Sequence, residues 1–336
     1  MPPVLVPLHA EPGDQLEPLT PIRLLTGWQL DWVVLVALLV VAAAYLWGVH
    51  VLHRRGDRWS PARTVVFVAG GLGTAAVATL SALGRYDTVL LSVHMVQHMI
   101  LSMATPMFLA LGAPVTLALR TLPRRPRAVL LWVLHSRLAK VLTFPPVTLA
   151  LFVATPFALY FSGWYPATLR SPFLHDMGHL HFVLVGALFF WPLVGADPVP
   201  GRVVYPLRVL LLFLSLPFHA FLGVSIMGAA RLIAEDWYVA FGRTWGTSPA
   251  QDQYLAGGIL WGSGDIVALV VMAVLFVQWV RQSQAEARRE DRRLDRAEAG
   301  ERRAAQRAEA ERAVARDPGA AAQPSAGVDT MHSHER

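Results

Sequence analysis

Between about Trp28 and Arg281 the chain carries seven apolar stretches, near residues 29–52, 62–83, 89–111, 143–162, 173–195, 205–228 and 257–280. Each is about the 20 residues that a helix needs to cross the hydrocarbon core of a bilayer. Backbone polar groups in lipid must pair within one helix or around a closed barrel, and these stretches are far too long for barrel strands. The sequence therefore predicts an all-α integral membrane protein, a seven-transmembrane helix bundle. Hydrophobic residues make up 54% of the chain and charged ones 15%, so the few charges carry the topology.

Arg54, Arg55, Arg58 and Arg63 lie between the first and second stretches, and Arg120, Arg124, Arg125, Arg127, Arg137 and Lys140 between the third and fourth. Connections of the opposite parity are poor in basic residues. The arm before the first stretch has Arg23 beside Glu11, Asp14 and Glu17, and the next such connection has Arg85. Short basic loops stay in the cytoplasm, so the N-terminus is predicted outside and the C-terminus inside. Three regions follow: an external arm over 1–28, the seven-helix domain over 29–281, and a charged cytoplasmic tail over 282–336. The tail is rich in Ala, Glu and Arg to about residue 316, which predicts a solvated helix followed by a disordered end. Met1-Pro2-Pro3-Val4 lacks the basic-then-apolar pattern of a cleaved signal, so the first span is expected to be retained.

The absence of cysteine excludes disulfides, thiolate metal sites and cysteine nucleophiles. The net charge of +6 and pI near 10.1 reflect cytoplasmic loops facing membrane lipid, and not nucleic acid. No P-loop, dinucleotide fingerprint or serine-nucleophile elbow is present, and no nucleophile and base pair can be named, so no enzymatic activity is expected.

Histidines supply the chemistry. His94 and His98 in the third stretch and His175 and His179 in the fifth are two i, i+4 pairs, each projecting both imidazoles from one helix face. With the third span entered near Thr88, His94 and His98 lie about 9 and 15 Å deep at 1.5 Å per residue. The fifth span, entered near Pro172, puts its pair on the same side, and the sixth brings His219 into the same leaflet. Ionisable side chains within a span are costly and normally face a bundle interior or wet cavity, so this set predicts a metal site. Met95, Met99, Met103 and Met107 form a second i, i+4 ladder on the third stretch, with Met177 on the fifth and Met227 at the end of the sixth. Imidazole and thioether donors without thiolate favour copper, with zinc left open; methionine is also ordinary packing material.

Asp265, in Trp261-Gly262-Ser263-Gly264-Asp265, is either an orienting partner for a ligand histidine or a hydrogen-bonding group toward a neighbouring helix. His181 lies about 200° from His179 and reads as a core or interface histidine. His50, His53 and His135 read as interfacial, His9 carries no signal, and His332 and His334 belong to the polar tail. The connection over 229–256, with Arg231, Glu235, Asp236, Trp237, Arg243 and Trp245, is expected to cap the outer face. Prolines 106, 114, 156, 192 and 217 should kink or end helices.

The run Ser92-Val-His-Met-Val-Gln-His-Met-Ile-Leu-Ser-Met-Ala-Thr-Pro-Met-Phe-Leu-Ala-Leu-Gly-Ala-Pro114 resembles the third-span motif of the multi-pass CtaG-type cytochrome c oxidase assembly factors. His175 to Trp191-Pro192 is similar to their fifth span, and Asp252-Gln-Tyr-Leu-Ala-Gly-Gly-Ile-Leu-Trp261 to their entry into the last. The likeness covers about residues 25–281. It implies a bacterial plasma-membrane protein that matures a haem–copper terminal oxidase, delivering or inserting copper, with oxidase subunits or other copper chaperones as partners. A different, single-span copper chaperone shares the CtaG name; its cysteine motif is absent here. Two other readings stay open: a copper transporter, whose ligands would continue toward the cytoplasm, and a haem-binding membrane cytochrome, with histidines as axial ligands.

Overall fold

The computed structural model describes residues 16–198, 200 and 203–316. Most of the N-terminal arm, with His9, and the tail beyond Arg316, with His332, His334 and the expected disorder, lie outside the described residues. The described residues contain helices and turns and no strand. They form one compact unit up to Phe276 and a second from Val277 onward.

In chain order α1 is Pro21–Thr26, α2 Trp32–Arg54 and α3 Pro61–Val65; a π-helical stretch, Val66–Leu72, joins α3 to α4, Gly73–Leu80, and α5 is Ala82–Tyr86. α6, Leu91–Met99, passes through a second π-helical stretch, Ile100–Ala104, into α7, Thr105–Leu111. α8 is Pro114–Thr121, α9 Arg124–His135, α10 Arg137–Leu142, α11 Pro145–Tyr160 and α12 Trp164–Leu169. The remaining helices are α13 Pro172–Val194, α14 Tyr205–Met227, α15 Glu235–Ala240 and α16 Pro249–Arg316.

Six helical runs are long and apolar enough to cross a membrane, where the patterning predicts seven: Trp32–Arg54, Pro61–Tyr86, Leu91–Thr121, Pro172–Val194, Tyr205–Met227 and the apolar part of Pro249–Glu309. The stretch read as 143–162 forms only the 16 residues of α11, about 24 Å long. Pro145 and Pro146 open it, and the helix ends at Tyr160, capped by Phe161 ahead of Ser162-Gly163. The last helix begins at Pro249, eight residues before the apolar stretch read at 257, because Asp252 and Gln253 are buried in its first turns rather than left in a loop.

Local chemistry sets the helix starts. The Asp31 carboxylate accepts from the Val33 and Val34 amides at 2.8 and 3.1 Å, and the Ser171 hydroxyl from the Leu174 amide at 3.4 Å. Pro114 begins α8, where its missing N–H costs nothing, and Pro106 sits in the first turn of α7. Pro156, Pro192 and Pro217 lie inside α11, α13 and α14, each removing one backbone hydrogen bond.

The methionine ladder is part of the main core. Met95, Met99, Met103 and Met107 belong to one buried cluster with Phe152 of α11, Phe182, Phe189 and Phe190 of α13, Leu212 and Leu222 of α14, and Leu260 of α16. Helices come close where side chains are absent: a Cβ on Gly186 would lie 2.0 Å from the Ser102 carbonyl oxygen, and one on Gly257 2.5 Å from that of Gly223. A second cluster joins α2 to the π-helical stretch after α3, with Tyr45 stacked on Phe67 at 4.0 Å and its hydroxyl donating to the Gly112 carbonyl at 2.8 Å.

Candidate metal centre

The turn between α5 and α6 buries one carboxylate, Asp87, completely. α6 starts four residues later, and its first turn is held from the far end of the sequence. The Asp252 carboxylate accepts from the Ser92 amide at 3.3 Å and from the Ser92 hydroxyl, and the Trp237 indole N–H donates to the Thr88 carbonyl at 2.8 Å. The connection after α14 and the start of α16 thus clamp the turn that carries Asp87. Gln253 ties down the same connection, accepting from the Ile233 amide at 2.7 Å and donating to the Ile226 carbonyl at 3.2 Å.

α13 runs close to the stretch after α6 at Gly186, and its histidines meet α6, with the His94 and His175 rings 6.1 Å apart. One ligand atom each from Asp87, His94 and His175 then falls within 4.8 Å of the other two, and all three residues are buried. His175 Nε2 donates to Asp87 Oδ2 at 2.8 Å. His179 Nε2 lies 2.9 Å from Gln97 Oε1 and 3.4 Å from the same Asp87 oxygen, while the Gln97 amide donates to the Ala78 carbonyl at 3.0 Å. Gln97 therefore fixes the ring of His179.

Tyr160, at the end of α11, brackets the other pair. Its hydroxyl lies 3.2 Å from His94 Nε2 and 3.2 Å from His98 Nδ1. A hydroxyl has one proton, so it donates to one imidazole and accepts from the other. Tyr165 packs on His94 with ring centroids 4.8 Å apart, and the hydroxyls of Tyr165 and Tyr238 meet at 2.6 Å.

Asp87 Oδ1 and His94 Nδ1 are buried and make no hydrogen bond with any described residue. An unmade bond on a buried polar atom is costly, so two of them in one cluster fit a site whose partner is an ion. Burial alone raises a carboxyl's pKa, but His175 and His179 outweigh it and hold Asp87 well below the usual carboxylate range. An anionic oxygen beside two imidazoles is a donor set that suits Cu(II) or Zn(II).

The other expected site residues sit elsewhere. His98, one turn below His94, faces Phe182 at 4.1 Å. His219 is buried against Phe152 at 5.1 Å, its Nδ1 lies 3.3 Å from the Ser215 carbonyl, and it lines a cavity of about 10 Å³, room for one water. Met95 and Met99 are in the packed core, Met177 is exposed, and Asp265 is exposed on α16. His181 lies against Trp164 at 5.2 Å. Sequence reasoning missed Asp87, Gln97, Tyr160 and Asp252. Of these, Asp87 left a signal: no other acidic residue lies between Asp57 and Asp176.

The model of the family described as cytochrome c oxidase caa3 assembly factor (Caa3_CtaG) matches residues 43–282. Uncharacterised proteins of Mycobacterium bovis and Mycobacterium tuberculosis are each 39% identical over 288 residues, which is 83% of this chain and 43% of theirs. One of Mycobacterium leprae is 34% identical over 281 residues, 82% of this chain and 42% of its own. The chain thus spans less than half the length of these curated relatives. No solved structure matches it.

Proposed function

This chain belongs to the cytochrome c oxidase caa3 assembly factor family, and we propose that it serves oxidase maturation by holding copper at Asp87, His94 and His175 and passing it on. The convergence of those three buried side chains from one turn and two helices, with an orphaned atom on Asp87 and on His94, carries the reading. His179 and His98 flank the ion site, fixed by Gln97 and Tyr160. The methionines expected to contribute soft donors pack in the core or face outward, so oxygen and nitrogen alone meet the ion. Without thiolate such a set releases copper to a receiving site by ligand exchange more readily than a cysteine cluster would.

In the same reading the bundle has seven spans with α11 as the short fourth, the N-terminus outside and the site toward the outer face, in the bacterial plasma membrane. The receiving partner is an oxidase subunit or another copper chaperone. A deletion strain tests the proposal. It should keep oxidase polypeptide in its membranes but lose most terminal-oxidase activity. The wild-type chain should restore that activity, and a His94→Ala/His175→Ala variant, purified without bound copper, should not. Normal oxidase activity with depleted cytoplasmic copper would reject assembly in favour of transport. Zinc in place of copper in the purified wild-type protein would reject the choice of metal.

A further inference from the structure

The connection between α8 and α11 forms two helices, α9 and α10, and neither contains a buried residue. Ser136 makes the corner: its amide donates to the Val133 carbonyl at 3.1 Å and its hydroxyl accepts from the Ala139 amide at 3.1 Å. Val129, Trp132 and Val133 lie at i, i+3 and i+4 of α9, on one side of the helix, and are 61%, 73% and 47% exposed. Leu138 and Val141 repeat the pattern on α10 at 68% and 56%. Arg124, Arg125, Arg127, Arg137 and Lys140 accompany this apolar stripe, all exposed. No acidic residue occurs in the sequence between Asp87 and Asp176, and no described carboxylate pairs with any of the five.

We propose that the α9–α10 hairpin lies in the membrane surface and binds anionic phospholipid headgroups through Arg124, Arg125, Arg127, Arg137 and Lys140, with its valine, leucine and tryptophan stripe in the upper acyl region. The charge pattern identifies the occupant. Five cations without an internal counter-ion need anions, and an apolar stripe on the same short helices needs hydrocarbon at the same depth; an anionic bilayer surface supplies both. Neighbouring α8 ends a run long enough to cross a membrane, so the hairpin begins at the level where headgroups lie. A nucleic acid would satisfy the arginines but leave Val129, Trp132 and Val133 in water.

The test uses the full chain in lipid nanodiscs and does not involve copper. Because the chain has no cysteine, Val129→Cys can carry a single fluorescent label. In discs of phosphatidylcholine with one-quarter phosphatidylglycerol, the label should be quenched by lipids brominated near the headgroup and shielded from aqueous iodide. From detergent, the wild type should retain phosphatidylglycerol over phosphatidylcholine, and an Arg124→Gln/Arg125→Gln/Arg127→Gln variant should lose that preference by about tenfold or more. Circular dichroism equal to wild type shows that the variant is folded. A label open to iodide in these discs, or unchanged lipid preference in the triple variant, overturns the proposal and leaves the face to a soluble protein partner. Either result is independent of whether the chain holds copper.

Discussion

Asp87 meets His175 through Oδ2 at 2.8 Å, with His179 Nε2 3.4 Å from the same oxygen, while its Oδ1, like His94 Nδ1, is buried with no hydrogen bond to any described residue. If Oδ1 binds the ion, Asp87→Asn keeps an acceptor for His175 but removes the charge. Copper retention, measured against a competing chelator, should fall more than tenfold while the protein stays folded. Unchanged retention would take Asp87 out of the ligand set. Tyr160→Phe makes a different demand, leaving His94 Nε2 and His98 Nδ1 without the shared hydroxyl. The expected cost is about 1–3 kcal/mol of stability, read as a lower thermal unfolding midpoint in detergent. The histidines were legible in the sequence because their helical spacing is itself the geometry. Asp87 and Tyr160 were not, because nothing local links a turn before α6 or the end of α11 to a histidine on α13. The methionine ladder shows the converse limit: an i, i+4 repeat fixes that four side chains share a helix face, and only packing decides that the face is core.

Most helices follow from apolar length and the proline and cap residues that start them, but what α16 does with its two adjacent glycines was not readable. Gly257 sits where α14 crosses, so a Cβ there would meet the Gly223 carbonyl oxygen at 2.5 Å and Met227 Cγ at 2.5 Å. One residue on, Gly258 has nothing within 4 Å. Gly257→Val should therefore push α14 and α16 apart and destabilise the bundle by about 1–3 kcal/mol or more. Gly258→Ala should be neutral or stabilise by up to about 1 kcal/mol through reduced unfolded-state freedom. Thermal unfolding of the two variants side by side checks the pair, and equal effects would mean that the α14–α16 crossing is not as close as described. The two π-helical stretches, Val66–Leu72 and Ile100–Ala104, were also not read from the sequence, because an apolar pattern does not distinguish an i→i+5 turn from an i→i+4 one.

At the scale of the whole molecule the question is which way the bundle faces, because that decides whether the Asp87, His94 and His175 cluster can exchange an ion with a partner outside the cell. The arginine pattern is the physical argument: basic residues next to span ends resist translocation, and they crowd the connections holding Arg54 to Arg63 and Arg120 to Lys140. The cluster lies at the opposite end of its helices, with Asp87 before the start of α6 and His175 in the first turn of α13, under a cap in which Trp237 holds Thr88 and Trp245 donates to the Leu16 carbonyl at 2.8 Å. The short α11 bears on the same question. In the proposed seven-span arrangement α11 must cross for α6 and α13 to present their first turns on one side, where Asp87 and His175 meet at 2.8 Å. Single cysteines at Gly56, Arg125 and Gly246 in this cysteine-free chain distinguish the cases. Gly246 should react with an impermeant thiol reagent added to intact cells, and Gly56 and Arg125 only after the membrane is opened. Labelling of Gly56 from outside would invert the bundle, place the cluster toward the cytoplasm, and turn the donor reading into one of uptake or storage from the inner side.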